Sequence, residues 1–148
     1  MSIHPRAIAL LHQFEGCRLL AYYPTPADRP TIGWGMTFYP DGRAVKMGDV
    51  ITQAQADAMF EVIANRFADQ IRPMVGDATP LQFGAMVCLA YNIGVKAFAR
   101  STVLRLHKAG DWKGAARAFG MWSKQKGKTL PGLVRRRAAE AALYLSAA

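Results

Sequence analysis

The stretch Phe14-Glu15-Gly16-Cys17-Arg18-Leu19-Leu20-Ala21-Tyr22-Tyr23, followed by Pro30-Thr31-Ile32-Gly33-Trp34-Gly35, does most to limit what this chain can fold into. Ahead of it, Ile8, Leu11 and Phe14 recur at helical spacing, and Pro5 suits a first helical turn. Gly16 then suits the left-handed residue that ends such a helix. Glu15 is left on the last turn, where unpaired carbonyls and the helix dipole disfavour a negative charge. A carboxyl so placed tends to hold its proton unless a nearby cation opposes the effect. That is how a general acid is prepared for work at neutral pH. A lone Glu at a frayed helix end would be an ordinary surface residue, so the weight falls on its neighbours downstream.

Arg18 to Tyr22 and Thr31 to Trp34 predict two strands of a small hairpin. The loop between them carries Pro24, Pro26 and Pro30, which limit its conformations and suit it to hold a group over a cleft. Gly33 and Gly35 around Trp34 imply a bulge or a close backbone approach. Tyr39-Pro40-Asp41-Gly42-Arg43 predicts a turn leading into a third short strand at 44–46. Thr52-Gln53-Ala54-Gln55 is a capping-box start for a helix running to about Gly76, with Ala56, Met59, Phe60, Ile63, Phe67 and Ile71 on one stripe. Thr79-Pro80 caps a second helix, apolar on most faces and therefore buried, which Asn92 and Gly94 end. Ser101 and Asp111 are N-caps of two short helices. Lys124 to Lys128 reads as a cationic loop, and Leu133 to Leu145 as a closing amphipathic helix with an Arg run. The fold class expected is α+β: mostly helical, with a small antiparallel lobe at about 16–50 and a helical lobe at about 52–148 on which the first helix packs.

At 148 residues, 51% hydrophobic and 20% charged, the chain is long and apolar enough for one globular domain with a real core. No apolar run approaches the roughly 20 residues that cross a bilayer, and the N-terminal apolar stretch is too short for a secretory signal. Synthesis and folding in the cytoplasm are expected. Nineteen Lys and Arg against ten Asp and Glu give +9, which favours an anionic partner such as nucleic acid, acidic lipid or an acidic wall polymer. No zinc finger or RNA-binding sheet is present, so nucleic acid is not expected. Cys17 and Cys88 fit no metal-ligand spacing, and Cys88 in an apolar helical run is expected to be a buried free thiol. His4, His12 and His107 form no ligand pattern, and neither metal nor cofactor is expected. A monomer is expected.

Glu-Gly-x-Arg-Leu-x-Ala-Tyr from Glu15, then Thr-Ile-Gly-Trp-Gly from Thr31, resembles the active-site hairpin of the phage-type lysozymes of glycoside hydrolase family 24. That family includes the T-even phage lysozyme and the lambdoid phage endolysins, and the chain looks closer to the latter. The resemblance continues in order through Gly48-Asp49-x-Ile51-Thr52, Gln82, Tyr91-Asn92-x-Gly94, Ala97-Phe98, Ser101-Thr102, Gly110-Asp111, Phe119, Trp122 and Gly132-Leu133-x-Arg135-Arg136-Arg137-x-x-Glu140. It implies a lysozyme-like fold and hydrolysis of the β-1,4 bond between N-acetylmuramic acid and N-acetylglucosamine. Peptidoglycan would be the partner and holin-type release the route to the wall.

Residue by residue, the resemblance makes Glu15 the acid and Thr31 the residue that helps hold the attacking water. Thr31 on its own would be an ordinary β-branched strand residue. The family's third member is usually an Asp, between the Glu and the Thr. Here counting from Glu15 lands on Pro24 and counting from Thr31 lands on Thr25, while Asp28 is the loop's one carboxylate and matches no family position. Met36 stands where many relatives carry His. Asn92 matches a substrate-contacting Asn, and is equally well explained as a helix C-cap. One of Arg135, Arg136 and Arg137, with Arg136 the choice, matches an Arg that pairs with the Glu, while the other two belong to a solvated face. Tyr22, Trp34, Phe98 and Trp122 suit stacking on sugar rings, though aromatics at such positions are more often core. Two alternatives stand beside a muramidase: an impaired wall-binding module, and a membrane-active lysis protein using its C-terminal basic helix on acidic lipid.

Overall fold

His4 opens the first helix, its carbonyl accepting from the Ala7 N–H at 2.9 Å and its ring Nδ1 from the Arg6 N–H at 3.0 Å. This helix, α1 (Pro5–Glu15), carries Pro5 in its first turn and buries Ala7 and Leu11. It stops at Gly16, whose φ of +65° and N–H bond to the His12 carbonyl at 3.1 Å are the left-handed termination its sequence predicts. The computed structural model describes residues 2–146. In order after α1 come β1 (Arg18–Tyr22), β2 (Thr31–Gly33), α2 (Gln53–Val75), α3 (Pro80–Ile93), α4 (Val95–Ala99), α5 (Thr102–Lys108) and α6 (Trp112–Ala118). A 3-10 turn (Phe119–Trp122), β3 (Lys124–Gln125), β4 (Lys128–Thr129) and α7 (Pro131–Leu145) complete it. The α+β class is as expected, and no helix among the described residues is long and apolar enough to cross a membrane.

The described residues form two compact units, 11–66 and 2–10 with 67–146, the boundaries falling inside α1 and α2. In the smaller unit β1 and β2 pair antiparallel, with Arg18 opposite Gly33 and Tyr22 opposite Thr31. Ala21, Ile32, Val45, Ile51 and Ala56 form the small core beneath this hairpin. The third strand expected at 44–46 is absent, and a single bridge joins Phe38 to Ala44. Asp49 explains why the ladder stops. Its carboxylate accepts from the Tyr39 hydroxyl at 2.7 Å and the Lys46 N–H at 3.0 Å, so side-chain bonds hold the segment where strand pairing would otherwise run. The capping box at Thr52 forms as read, the Thr hydroxyl accepting from the Gln55 N–H and the Gln55 side chain from the Thr52 N–H.

In the larger unit α3 is the buried centre, with Leu81, Phe83 and everything from Ala85 to Ala90 out of solvent. Thr79 and Gln82 form its reciprocal cap, and it packs chiefly on α7. A methyl group added at Gly84 would sit 2.7 Å from the Ala7 side chain, so glycine there sets how near the chain around Ala7 approaches α3. Cys88 is an unbridged, fully buried thiol whose S–H donates to the Ala7 carbonyl at 3.4 Å. Ser101 and Asp111 cap α5 and α6 as their sequence implies. Lys124 to Lys128 is a tight hairpin where a loop was expected. Lys126 and Gly127 both take positive φ, +52° and +80°, the geometry of the two-residue turns that match strand twist.

Candidate active site

The smaller unit is built upward from the end of α1. Glu15 is half-buried on the last helical residue, and the chain returns past it at the turn that closes β2. That turn is held by reciprocal backbone bonds between Ile32 and Met36, 2.8 and 2.9 Å, enclosing Gly33-Trp34-Gly35. Gly33 and Gly35 have φ of +62° and +80°, and a methyl at Gly35 would sit 3.0 Å from the Glu15 carboxyl carbon. The Gly-x-Gly is thus the close backbone approach its sequence implies, and the group approached is the Glu15 carboxylate. Met36, buried, occupies this turn.

Trp34, between the two glycines, is anchored on both sides. Its ring stacks on His12 at a centroid distance of 3.9 Å and an interplanar angle of 15°, and its indole N–H donates to Asp57 Oδ1 at 2.8 Å. Gln53 Nε2 donates to the same oxygen at 2.9 Å. These two bonds hold the Asp57 carboxyl below the usual carboxylate range. Burial pushes His12 below its ordinary value against the pull of Asp57, which favours the neutral imidazole. Its Nε2 is buried without a hydrogen-bond partner. Trp34 is therefore chiefly a structural anchor for the turn, with His12 covering one face. Neither His12 nor Asp57 was singled out from the sequence. His12 lies three residues before Glu15, hence on the same helix face, and that spacing was the available signal.

The proline-containing loop makes a turn in which the Asp28 N–H donates to the Thr25 carbonyl at 3.0 Å. Thr25 is exposed and Asp28 half-buried, so the two residues stand at the ends of one turn. Thr31 is buried, its hydroxyl donating to the Arg29 carbonyl at 3.0 Å. Tyr22 is half-buried with the Arg18 guanidinium 4.5 Å over its ring. Glu15, Thr31, Thr25, Asp28, Tyr22 and Trp34 thus all belong to the smaller unit.

Asn92, Phe98 and Arg136 belong to the larger one. Asn92 is exposed in the last turn of α3, and it is Gly94 that caps the helix, donating its N–H to the Ala90 carbonyl. The capping explanation of Asn92 is therefore set aside. Phe98 is fully buried, a core ring with no face for a sugar. The arginine run also differs from expectation: only Arg135 is exposed, while Arg136 and Arg137 are 5% and 1% exposed. Both converge on Glu140, itself fully buried. Arg136 donates from Nε to Oε2 at 3.2 Å and from Nη2 to the Cys88 carbonyl at 3.2 Å. Arg137 Nη2 donates to Oε2 at 3.1 Å, and its Nε approaches Oε1 at 2.8 Å as an ion pair too poorly aligned for a hydrogen bond. Burial pushes the Glu140 carboxyl up to about 7 against the pull of the two guanidiniums. The i,i+4 and i,i+3 spacing to Glu140 was the legible sign that these arginines turn inward.

Comparison with known proteins agrees with this geometry. The family model for phage lysozyme matches residues 12–140. The chain is 41% identical to the endolysin of Acyrthosiphon pisum secondary endosymbiont phage 1, over 99% of its own length and all of that protein. It spans about half the length of the endolysin of Bacillus phage B103, covering 55% of it at 36% identity. Among solved structures, the endolysin of Escherichia coli O157:H7 phage FAHEc1 superposes with a TM-score of 0.88 at 36% identity, covering 98% of this chain and 94% of that one. The muramidase domain of SpmX from Asticaccaulis excentricus superposes at 0.86 and 32% identity, with 99% of each chain covered. A model match spanning most of the chain, and kinship along its whole length, make this protein a member of the phage lysozyme family.

Proposed function

We propose that the chain is an endolysin acting as a muramidase, which hydrolyses the β-1,4 bond between N-acetylmuramic acid and N-acetylglucosamine with Glu15 as general acid. The family makes it a glycoside hydrolase directed at peptidoglycan. The choice of bond leans on the muramidase named among its structural neighbours. One observation carries the role of Glu15: it is the last residue of α1, and its carboxyl lies so close to Gly35 that a methyl there would stand 3.0 Å from it. There it is placed to give its proton to the leaving oxygen as the glycosidic bond breaks.

The second role falls to hydroxyl groups. The Thr31 hydrogen is committed to the Arg29 carbonyl, which leaves the oxygen lone pairs to accept from a water. Thr25 stands at the family's Asp position and supplies a second water ligand, with Asp28 auxiliary across the same turn. Tyr22, Trp34 and Asn92 remain the proposed sugar contacts, and holin-type release the proposed route to the wall.

Glu15→Gln tests the reading. It keeps shape and hydrogen bonding while removing the transferable proton, and general acid catalysis is worth ~10²–10⁴-fold. Muropeptide analysis of digested peptidoglycan should show reducing N-acetylmuramic acid ends from the native chain and none from the variant, with unchanged circular dichroism. Near-normal product release by the variant would sink the assignment of Glu15. Wall binding by the native chain without any product would instead make it a wall-binding module.

A further inference from the structure

From Trp112 to Ser146 the sequence carries eight Lys and Arg against one acid, Glu140, and that acid is fully buried between Arg136 and Arg137. Lys113, Arg117, Lys124, Lys126, Lys128 and Arg135 are all exposed. Every exposed charge of this segment is therefore positive. Of these, Arg117 and Lys124 line an open depression of about 710 Å³ between α6, the 3-10 turn, the β3–β4 hairpin and α7. Its lining is mainly apolar, from Ala116, Met121, Val134, Ala138 and Ala141, with Arg117, Lys124 and Arg137 also against it. Met121 is 65% exposed and Val134 44%, so two large apolar side chains are presented to solvent beside the basic hairpin.

We propose that this face, the β3–β4 hairpin with Met121 and Val134, docks the protein on the surface of an anionic lipid bilayer. Charge complementarity selects a polyanion, and the apolar lining selects among polyanions. A teichoic-type polymer or a nucleic acid offers nothing to a solvent-facing methionine, and no aromatic side chain lines the depression to stack on bases. A bilayer interface takes both parts, with Lys ammonium groups on lipid phosphates and the Met side chain at the headgroup–acyl boundary. The hairpin's two-residue turn fixes Lys124, Lys126 and Lys128 on a short rigid projection instead of a floppy loop. Of the Arg run of α7 only Arg135 is exposed, while the buried Arg137 lines the depression itself. The inference does not depend on Glu15 or on the bond cleaved.

Sedimentation of the full chain with large unilamellar vesicles tests it, using phosphatidylcholine alone and phosphatidylcholine with 30 mol% phosphatidylglycerol as the anionic probe. Binding should require the anionic lipid. Each basic residue near such a surface is worth about fivefold, so Lys124→Gln/Lys126→Gln/Lys128→Gln should weaken partition by about 100-fold. The matched variant Lys96→Gln/Arg100→Gln/Lys108→Gln removes the same charge from elsewhere on this unit and should cost far less. Met121→Gln, a change at an exposed position, should weaken binding several-fold with every charge kept. Equal loss from the two triple variants would overturn the face in favour of unspecific net charge. Binding indifferent to Met121→Gln would overturn the lipid and assign the cations to a polar polyanion. Full wall-digesting activity in a chain that fails to sediment would sink this inference and leave the muramidase reading standing.

Discussion

At Gly35 a single methyl group would be felt most directly by the chemistry. Its φ of +80° is open to glycine, whereas an L side chain there costs ~1–2 kcal/mol. The added methyl would also stand 3.0 Å from the Glu15 carboxyl. Gly35→Ala should therefore lose about that much stability in urea unfolding and, by pushing the acid aside, on the order of 10²-fold in peptidoglycan hydrolysis. An active Gly35→Ala variant would mean that the carboxyl need not sit where the turn holds it. The turn between Thr25 and Asp28 separates the two accounts of the second role. If Thr25 holds the water and Asp28 is auxiliary, Asp28→Asn should cost far less activity than Glu15→Gln, and Thr25→Asp should be tolerated or raise it. Equal losses from Asp28→Asn and Glu15→Gln would make Asp28 the second catalytic carboxylate. Much at this scale could be read from the chain, because glycines and prolines act through local backbone sterics. Gly16, Gly33 and Gly35 announced their left-handed or close-packed positions. The inward turn of Arg136 and Arg137 had a local sign in their spacing to Glu140, whereas the bond from Arg136 to the Cys88 carbonyl, which lies on another helix, had none.

Helix starts were legible for the same reason: a cap is a bond between neighbours in sequence, as at Thr52, Thr79, Ser101 and Asp111. The β3–β4 hairpin was missed because its turn places Lys126 where asparagine or glycine usually signals positive φ. His107 was passed over because its role appears only when elements meet. It lies in the last turn of α5, buried, with its ring nitrogens 2.6 Å from the Tyr144 hydroxyl on α7 and 2.9 Å from the Asp77 carbonyl. Burial holds its pKa below 6.5, the bond to Asp77 opposing. The folded chain thus keeps His107 neutral at pH values where the unfolded chain has protonated it. The unfolded state then binds more protons, so this contribution to stability is lost as pH falls below about 6.5. Glu140 works in the opposite sense, since a carboxyl raised to about 7 makes the unfolded state the stronger acid between its ordinary value and 7. The difference between native and His107→Gln chains isolates the histidine. The melting-temperature gap should shrink as pH drops from 7 to 5, and a gap independent of pH would show that His107 does not titrate as its burial implies.

For the molecule as a whole, a charge of +9 acts over the distance that salt allows, about 10 Å at 0.1 M ionic strength and about 3 Å at 1 M. If that charge serves to concentrate the enzyme on an acidic wall, hydrolysis of lipid-free wall preparations should fall steeply between those two concentrations. Attraction of this kind depends on total charge and hardly on where the charge sits. The lysine triple of the hairpin and the matched Lys96, Arg100 and Lys108 triple both lower the formal charge from +9 to +6, and should flatten the salt profile equally. The same pair of variants is expected to behave differently on anionic vesicles, where the apolar lining beside the hairpin makes position matter. A flat salt profile for the native chain on intact walls would remove wall capture as the reason for the charge. An unequal flattening would show that the hairpin makes a local contact with the wall as well.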